Sequence, residues 1–295
     1  LALSMHSHLL AANLWKYKQG QPVEGLLQRI ANEQLVLIST GASDWLHASG
    51  TAEKVEGGYK VNGRKVFASG SPAGQVLITS AVYDDPVEGP TVLHFPIPFS
   101  ADGLTVSDNW QAMGMRGTGS NDILLTDIFV PEESIALRRK QGVWHPFFNV
   151  VTCVAMPYII SVYMGVAEAA AAITREKVQF KKHDPHLPYL LGEMETYLTT
   201  AQMAWREMVT LNDEFSFTPT NQTASKMFQY KTIAAKNILA CVEKCLETVG
   251  GAGFFRETGL ERLLRDVHGM QFHPIPEKRQ YHFSGSVALD IPPLG

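Results

Sequence analysis

Cysteine is scarce in this chain. Only three occur in 295 residues, and Cys241 and Cys245 stand one turn apart in a segment of helical period. So few supply neither a disulfide framework nor a thiolate metal cage; the pair reads as two core thiols in a reducing compartment, with no metal site. No Lys/Arg-rich run with interleaved aromatics occurs, and the net charge is -4 with a pI near 6.2, so the electrostatic footprint of nucleic-acid binding is missing. A ligand phosphate would therefore meet local cations and backbone N–H groups. No signal peptide is visible and a cytoplasmic setting is expected, although the first residue is Leu and not Met, as in a fragment of a longer chain. One long apolar run exists, VVTCVAMPYIISVYMGVAEAAAAI from Val150. It contains Pro157 and Glu168 and is rich in Ala, which favours a buried core helix over a membrane span.

What is present is a change of rhythm along the chain. Residues 1–34 carry helical spacing, in LALSMHSHLLAANLW and VEGLLQRIANEQ. From Leu35 to about residue 142 the runs become short and alternating, with turns between them and no helices, which predicts an antiparallel barrel or sandwich. Within it EGGYKVNGRKVF reads as a hairpin, with Gly57-Gly58 and Asn62-Gly63 supplying positive-φ turn positions. From residue 143 onward helical period returns and stays, near 147–182, 187–212 and 223–249, with Pro185 and Pro188 at a break and Thr223 as a candidate N-cap. The expected class is α+β: a helical segment, a central β-barrel domain and a C-terminal four-helix bundle.

Three constellations could carry chemistry. ISTGASDW from Ile38 puts small residues and hydroxyls at a strand end, where backbone N–H groups and Ser43 can approach a phosphate or a ring carbonyl; a plain turn explains it too. GRKVFASG ends a strand in Ser69, which is as ordinary as a turn cap. ETVGGAGFFRETGLERLLRDVHGMQF stops a helix at Gly250-Gly251 and opens a glycine-rich loop. A simple C-cap explains one glycine there better than three.

In this order and layout the segments resemble the acyl-CoA dehydrogenase flavoprotein superfamily. STGASD is similar to a shortened TEPGAGSD loop, YKVNGRKVFASG to the family hairpin, MGMRGTGSNDILLTDIFVP to its following strand segment, and ETVGGAGFFRETGLERLLRD to its GG…RD segment. The resemblance implies flavin bound where the β domain meets the bundle. By position, Ser39, Thr40 and Ser43 would line the flavin, Phe67 and Ser69 would flank its reactive edge, and Gly250, Gly251 and Gly253 would meet FAD of a neighbouring subunit in a homodimer or homotetramer. It also implies oxidation of an acyl-CoA, as in fatty acid metabolism, with electrons passed to an electron-transfer flavoprotein.

The chain departs from the family where the base belongs. α,β-Dehydrogenation needs a carboxylate to take the α proton while hydride goes to flavin N5. The family's usual Glu, eight residues after the Asp of the RD pair, is here Pro274, and no Asp or Glu stands between Glu133 and Glu168, where other members keep it. Glu277 is the remaining candidate base, although PEKRQ is equally an exposed turn. His273 with Ser69 resembles the pair that supports a flavin C4a-hydroperoxide in the two-component monooxygenase branch, which takes reduced FMN or FAD from a flavin reductase. A core His bonded to a carbonyl is the plain alternative. Dehydrogenation is placed first on the whole-chain pattern, oxygenation second, and a non-catalytic flavin-binding relative third.

Overall fold

The computed structural model describes residues 1–40 and 44–293. They form two compact units, one of residues 1–111, 117–151 and the stretch from Ser286, the other of residues 112–116 and 152–285. The opening helical residues belong to the first unit.

In the first unit, helices α1 (Ala2–Lys18) and α2 (Glu24–Asn32) precede β1 (Leu37–Ser39), β2 (Thr51–Val55), β3 (Gly58–Lys65), β4 (Val76–Asp85), β5 (Gly89–Pro98), β6 (Leu104–Val106), β7 (Ile123–Pro131) and β8 (Leu137–Lys140). The two-residue alternation of the sequence sorts the side chains: Leu93, Phe95 and Ile97 of β5 face inward while Pro96 and Pro98 face out. With Tyr59, Val61, Leu77, Ile123, Leu125, Ile128 and Val130 they make one apolar core, each large chain worth about 1.5–3 kcal/mol on burial.

Two expectations about this sheet are corrected. It does not close into a barrel among the described residues: the order is β6-β7-β3-β2-β4-β5-β8, with β1 also on β4, and β1 and β2 run parallel to β4. The terminal strands β6 and β8 are three and four residues long, and neither pairs with the other. Second, only Gly57 makes the β2–β3 turn, at φ 76°. Asn62-Gly63 sits inside β3 at a register shift, and the Asn62 side chain bonds Asp127 of β7 in both directions, at 3.0 and 2.8 Å.

The second unit is helical, built on α3 (Phe147–Lys177), α4 (Leu187–Asn212) and α5 (Asn221–Val249), followed by the short α6 (Leu260–Val267) and by α7 (Glu277–Ala288). Three long helices and two shorter ones therefore stand where a four-helix bundle was expected. α3 is long and apolar enough to cross a membrane, yet Val154, Met156, Ile160, Tyr163, Ala167 and Ala171 are buried against protein. Its Pro157 has no N–H for the Cys153 carbonyl, and Asn212 Nδ2 of α4 donates to that carbonyl instead, at 3.1 Å. Arg175–Glu195, Gln202–Glu168 and Trp205 Nε1–Pro157 O hold α3 antiparallel to α4. The N-cap of α5 is Thr220, whose hydroxyl accepts the Thr223 N–H at 3.0 Å, so the cap lies three residues before the expected Thr223.

Candidate functional site

The candidate residues of the first unit gather where β1 and β3 end. Ser39 Oγ is buried and has no hydrogen-bond partner among the described residues, whereas Thr40 Oγ1 bonds Thr79 Oγ1 at 2.7 Å. Ser43 lies outside the described residues. A buried hydroxyl without a partner is expensive unless a ligand or water meets it, so Ser39 fits the polar edge of a bound ring. The Ile38 side chain abuts Gly70, which brings this strand end to the segment Phe67–Gly70.

Phe67 is the strained residue of that segment. Its φ is 57°, a region that an aromatic L-residue rarely enters, and its ring is 52% exposed with an edge contact to Trp110 at 6.0 Å. Holding such a residue costs about 1–3 kcal/mol and is met most often at ligand-binding and active sites. The backbone around it is fixed by Ala68 N–H to Asn121 O and Gly70 N–H to Thr118 O, at 3.1 and 2.8 Å. Ser69 is buried in a chain of hydroxyls, Ser69–Ser120 at 2.8 Å and Ser120–Thr118 at 2.6 Å. These residues fit a flavin: an aromatic wall, an unpaired hydroxyl and a relay of hydroxyls. Trp110, Thr118 and Ser120 are additions that the sequence did not single out, although Thr118 and Ser120 lie in the quoted MGMRGTGSND segment.

The loop leading here is anchored from below by charge. The fully buried Lys65 ammonium donates to Asp44 Oδ2 at 2.8 Å and to the Ser49 carbonyl and hydroxyl. Arg139 donates to the carbonyls of Asp44 and Leu46 and to His94 Nε2, and Trp45 stacks on Trp144 with centroids 5.6 Å apart.

In the helical unit the Arg265-Asp266 pair is a clamp. Asp266 Oδ1 accepts the Met115 N–H at 2.5 Å, and Arg265 donates to the Met113 carbonyl at 3.0 Å while paired with Glu261. Gly114 must be glycine, because a β carbon would overlap the Arg265 carbonyl. Seven residues on, His273 Nδ1 lies 2.8 Å from the hydroxyl of Tyr163 on α3. Burial and the nearby Asp266 carboxylate push the Tyr163 phenol well above its ordinary pKa, so it stays protonated.

Glu277 does not join His273. It starts α7, about 40% exposed, accepts from Tyr281 at 2.5 Å and pairs with Lys236 at 3.1 Å. Those two bonds, Tyr281 first, hold its pKa below the usual carboxylate range. The glycine loop ends α5: Gly250 has φ 74°, and Lys181 Nζ caps the Val249 carbonyl at 2.8 Å. Gly250 and Gly251 line a hollow of about 530 Å³ with Leu246, Phe254 and two carboxylates, Glu243 and Glu247, while Gly253 packs on Leu246.

The acyl-CoA dehydrogenase middle-domain family matches residues 39–128, and the acyl-CoA dehydrogenase C-terminal-domain family matches residues 158–277. The chain belongs to the acyl-CoA dehydrogenase family. Its relatives divide between two chemistries. The amino sugar nitrososynthase DnmZ of Streptomyces peucetius is 26% identical over 92% of this chain and 69% of its own. The cyclohex-1-ene-1-carbonyl-CoA dehydrogenase of Geobacter metallireducens is 25% identical over 85% of this chain and 68% of its own. The solved structure of KijD3 in complex with FMN and dTDP-3-amino-2,3,6-trideoxy-4-keto-3-methyl-D-glucose matches 98% of this chain and 75% of that one, at 24% identity and a TM-score of 0.84, so the two share a fold.

Proposed function

We propose that the chain is a flavin-dependent monooxygenase within the acyl-CoA dehydrogenase family, taking reduced FMN or FAD from a flavin reductase. The observation that carries this reading is the state of residues 273–277. The family's base position is Pro274; Glu277 is exposed, ion-paired and more acidic than usual; His273 is held by a neutral Tyr163. An oxygenase site needs hydrogen-bond donors and exclusion of water more than it needs a carboxylate base. When bound, reduced flavin supplies the electrons that activate oxygen. In the first unit the chain's own part is to offer Ser39, the Phe67 ring and the Ser69 hydroxyl relay toward a ring system; in the second, His273, held by Tyr163, is the residue proposed to act on oxygen. The similarity to an amino sugar nitrososynthase supports the same reading and makes an amino sugar the first substrate to try. A homodimer or homotetramer is part of the proposal, since Phe254 and Phe255, 82% and 63% exposed beside the glycine loop, are aromatic surface that a second copy would cover.

The competing reading, acyl-CoA dehydrogenation, has the Geobacter relative in its favour and requires Glu277 as base. Anaerobic mixing of the oxidised, flavin-loaded protein with a panel of acyl-CoA thioesters separates the two. Monooxygenase function predicts no bleaching of flavin absorbance with any thioester; rapid bleaching by one of them overturns it. Glu277→Gln is expected to leave turnover within about twofold of wild type, whereas loss of a true base lowers it roughly 10²–10⁴-fold.

A further inference from the structure

We propose that Lys231 is a positioning residue for His273: from inside α5 its ammonium donates to the Ile275 carbonyl and so pins to that helix the turn 272–276 on which His273 stands. The role deepens the monooxygenase reading and rests on it for its use in catalysis, but the bond itself belongs to the helical unit. The turn cannot hold itself as a helix would. Pro274 and Pro276 have no N–H to give, and helical bonding resumes only with Gln280 N–H on Pro276 O at 3.1 Å, inside α7. A bond from a neighbouring helix to a carbonyl between the two prolines supplies what the prolines remove.

Two lysines of α5 meet this part of the chain, and they differ in weight. Lys236, its side chain 60% exposed, pairs with Glu277 at 3.1 Å and donates to the Tyr281 hydroxyl at 3.2 Å; an ion pair that open to water contributes little. Lys231 is 2% exposed and Ile275 is 5% exposed, and their bond is 2.9 Å long. Neither group can turn to solvent, so deleting the donor leaves a buried carbonyl without it. Burial lowers the Lys231 pKa to about 8, against a smaller upward pull from the Glu277 carboxylate, so the ammonium keeps its proton at neutral pH and the bond is charge-assisted. A buried ammonium is a costly way to fill a core, where an apolar side chain would pack without desolvation. Its use lies in what it holds, a main-chain oxygen two residues from His273.

The test is hydrogen–deuterium exchange on the full chain without flavin, read by mass spectrometry on the peptide spanning residues 268–280. Lys231→Met keeps the stem and deletes the donor; it is expected to raise exchange of that peptide about tenfold or more, the factor that loss of one charge-assisted hydrogen bond gives, while peptides of α4 stay within about twofold. Lys236→Met, which cuts only the outer contact, should stay within about twofold throughout. Lys231→Gln, too short to reach the carbonyl, should behave as the Met variant does and covers the case of a Met variant that folds poorly. Exchange within about twofold of wild type in both Lys231 variants, or an equal rise in every helix, overturns the proposal. The second arm mixes reduced, FMN-loaded protein with oxygen, where the monooxygenase reading expects a slow phase of flavin reoxidation. Positioning predicts that Lys231→Met shortens this phase in the same direction as His273→Ala, and that the double variant is no faster than His273→Ala alone. Factors that multiply would show Lys231 acting without His273 and contradict the role. If wild type has no slow phase, the monooxygenase assignment fails, while exchange still decides whether Lys231 holds the turn.

Discussion

Lys65→Met is expected to lower the unfolding free energy by about 3–5 kcal/mol, an effect that equilibrium urea unfolding resolves easily. Lys65 is fully buried, and its three ammonium donors are all used, on Asp44 Oδ2 and on the carbonyl and hydroxyl of Ser49. Burial pulls its pKa down and the Asp44 carboxylate pulls it back up, the behaviour of an ion pair that persists only as a pair. Methionine fills the volume of the stem but leaves Asp44, itself 5% exposed, as an uncompensated buried charge. Adding Asp44→Asn removes that charge, and the double variant should recover a good part of the loss. If Lys65→Met costs no more than a surface substitution, about 0.5 kcal/mol, the loop from Asp44 to Ser49 is not anchored in the way described.

The second large effect is acid sensitivity set by His94. Its Nε2 accepts from Arg139 Nε at 3.0 Å, so protonation would break that bond and place two cations together. Burial first, then Arg139, Lys65 and His145, lower its pKa from 6.5 to about 3. Because the folded pKa lies below the unfolded one, the unfolded chain takes up the proton first. The contribution to stability is complete above pH 6.5 and is lost as pH falls toward 3. Between pH 7.5 and pH 5 the loss amounts to about 2 kcal/mol from this residue, at 1.36 kcal/mol per pKa unit. His94→Gln keeps an acceptor for Arg139 and does not titrate, so its unfolding midpoint should fall less over the same interval. Equal slopes in the two proteins would show that His94 takes up its proton as readily in the folded chain as in the unfolded one.

Both anchors explain why some of this molecule could be read from its sequence and some could not. Alternation and the Gly57 turn are local signals, and they located the strands; α4 begins at Leu187 with Pro188 in its first turn, as the proline spacing implied. Closure of the sheet is not local. It depends on whether β6 and β8 meet, and nothing in LTV or LRRK records that they do not. The same holds inside the candidate site. His273 stood out because it follows an RD pair at a family spacing, but Tyr163 lies 110 residues away in sequence, within an apolar run where a tyrosine reads as core. Glu277 looked like a displaced base until its partners were known: Tyr281, one turn further along α7, and Lys236 of α5, which meets it only once α5 and α7 are packed side by side. Pattern reports which residues are near in sequence on one face, whereas a pKa is decided by what lies across the interface.

The central claim, that the chain manages oxygen at a reduced flavin through His273, is tested most directly by mixing reduced FMN-loaded protein with oxygenated buffer in a stopped-flow instrument. The account predicts recovery of oxidised flavin absorbance in two resolved phases, with hydrogen peroxide released in the slow one when no substrate is present. In His273→Ala the slow phase should shorten about tenfold to a hundredfold, the loss of one charge-assisted hydrogen bond of about 1.5–3 kcal/mol. A wild-type protein that reoxidises in a single phase, as fast as free reduced FMN, would contradict it.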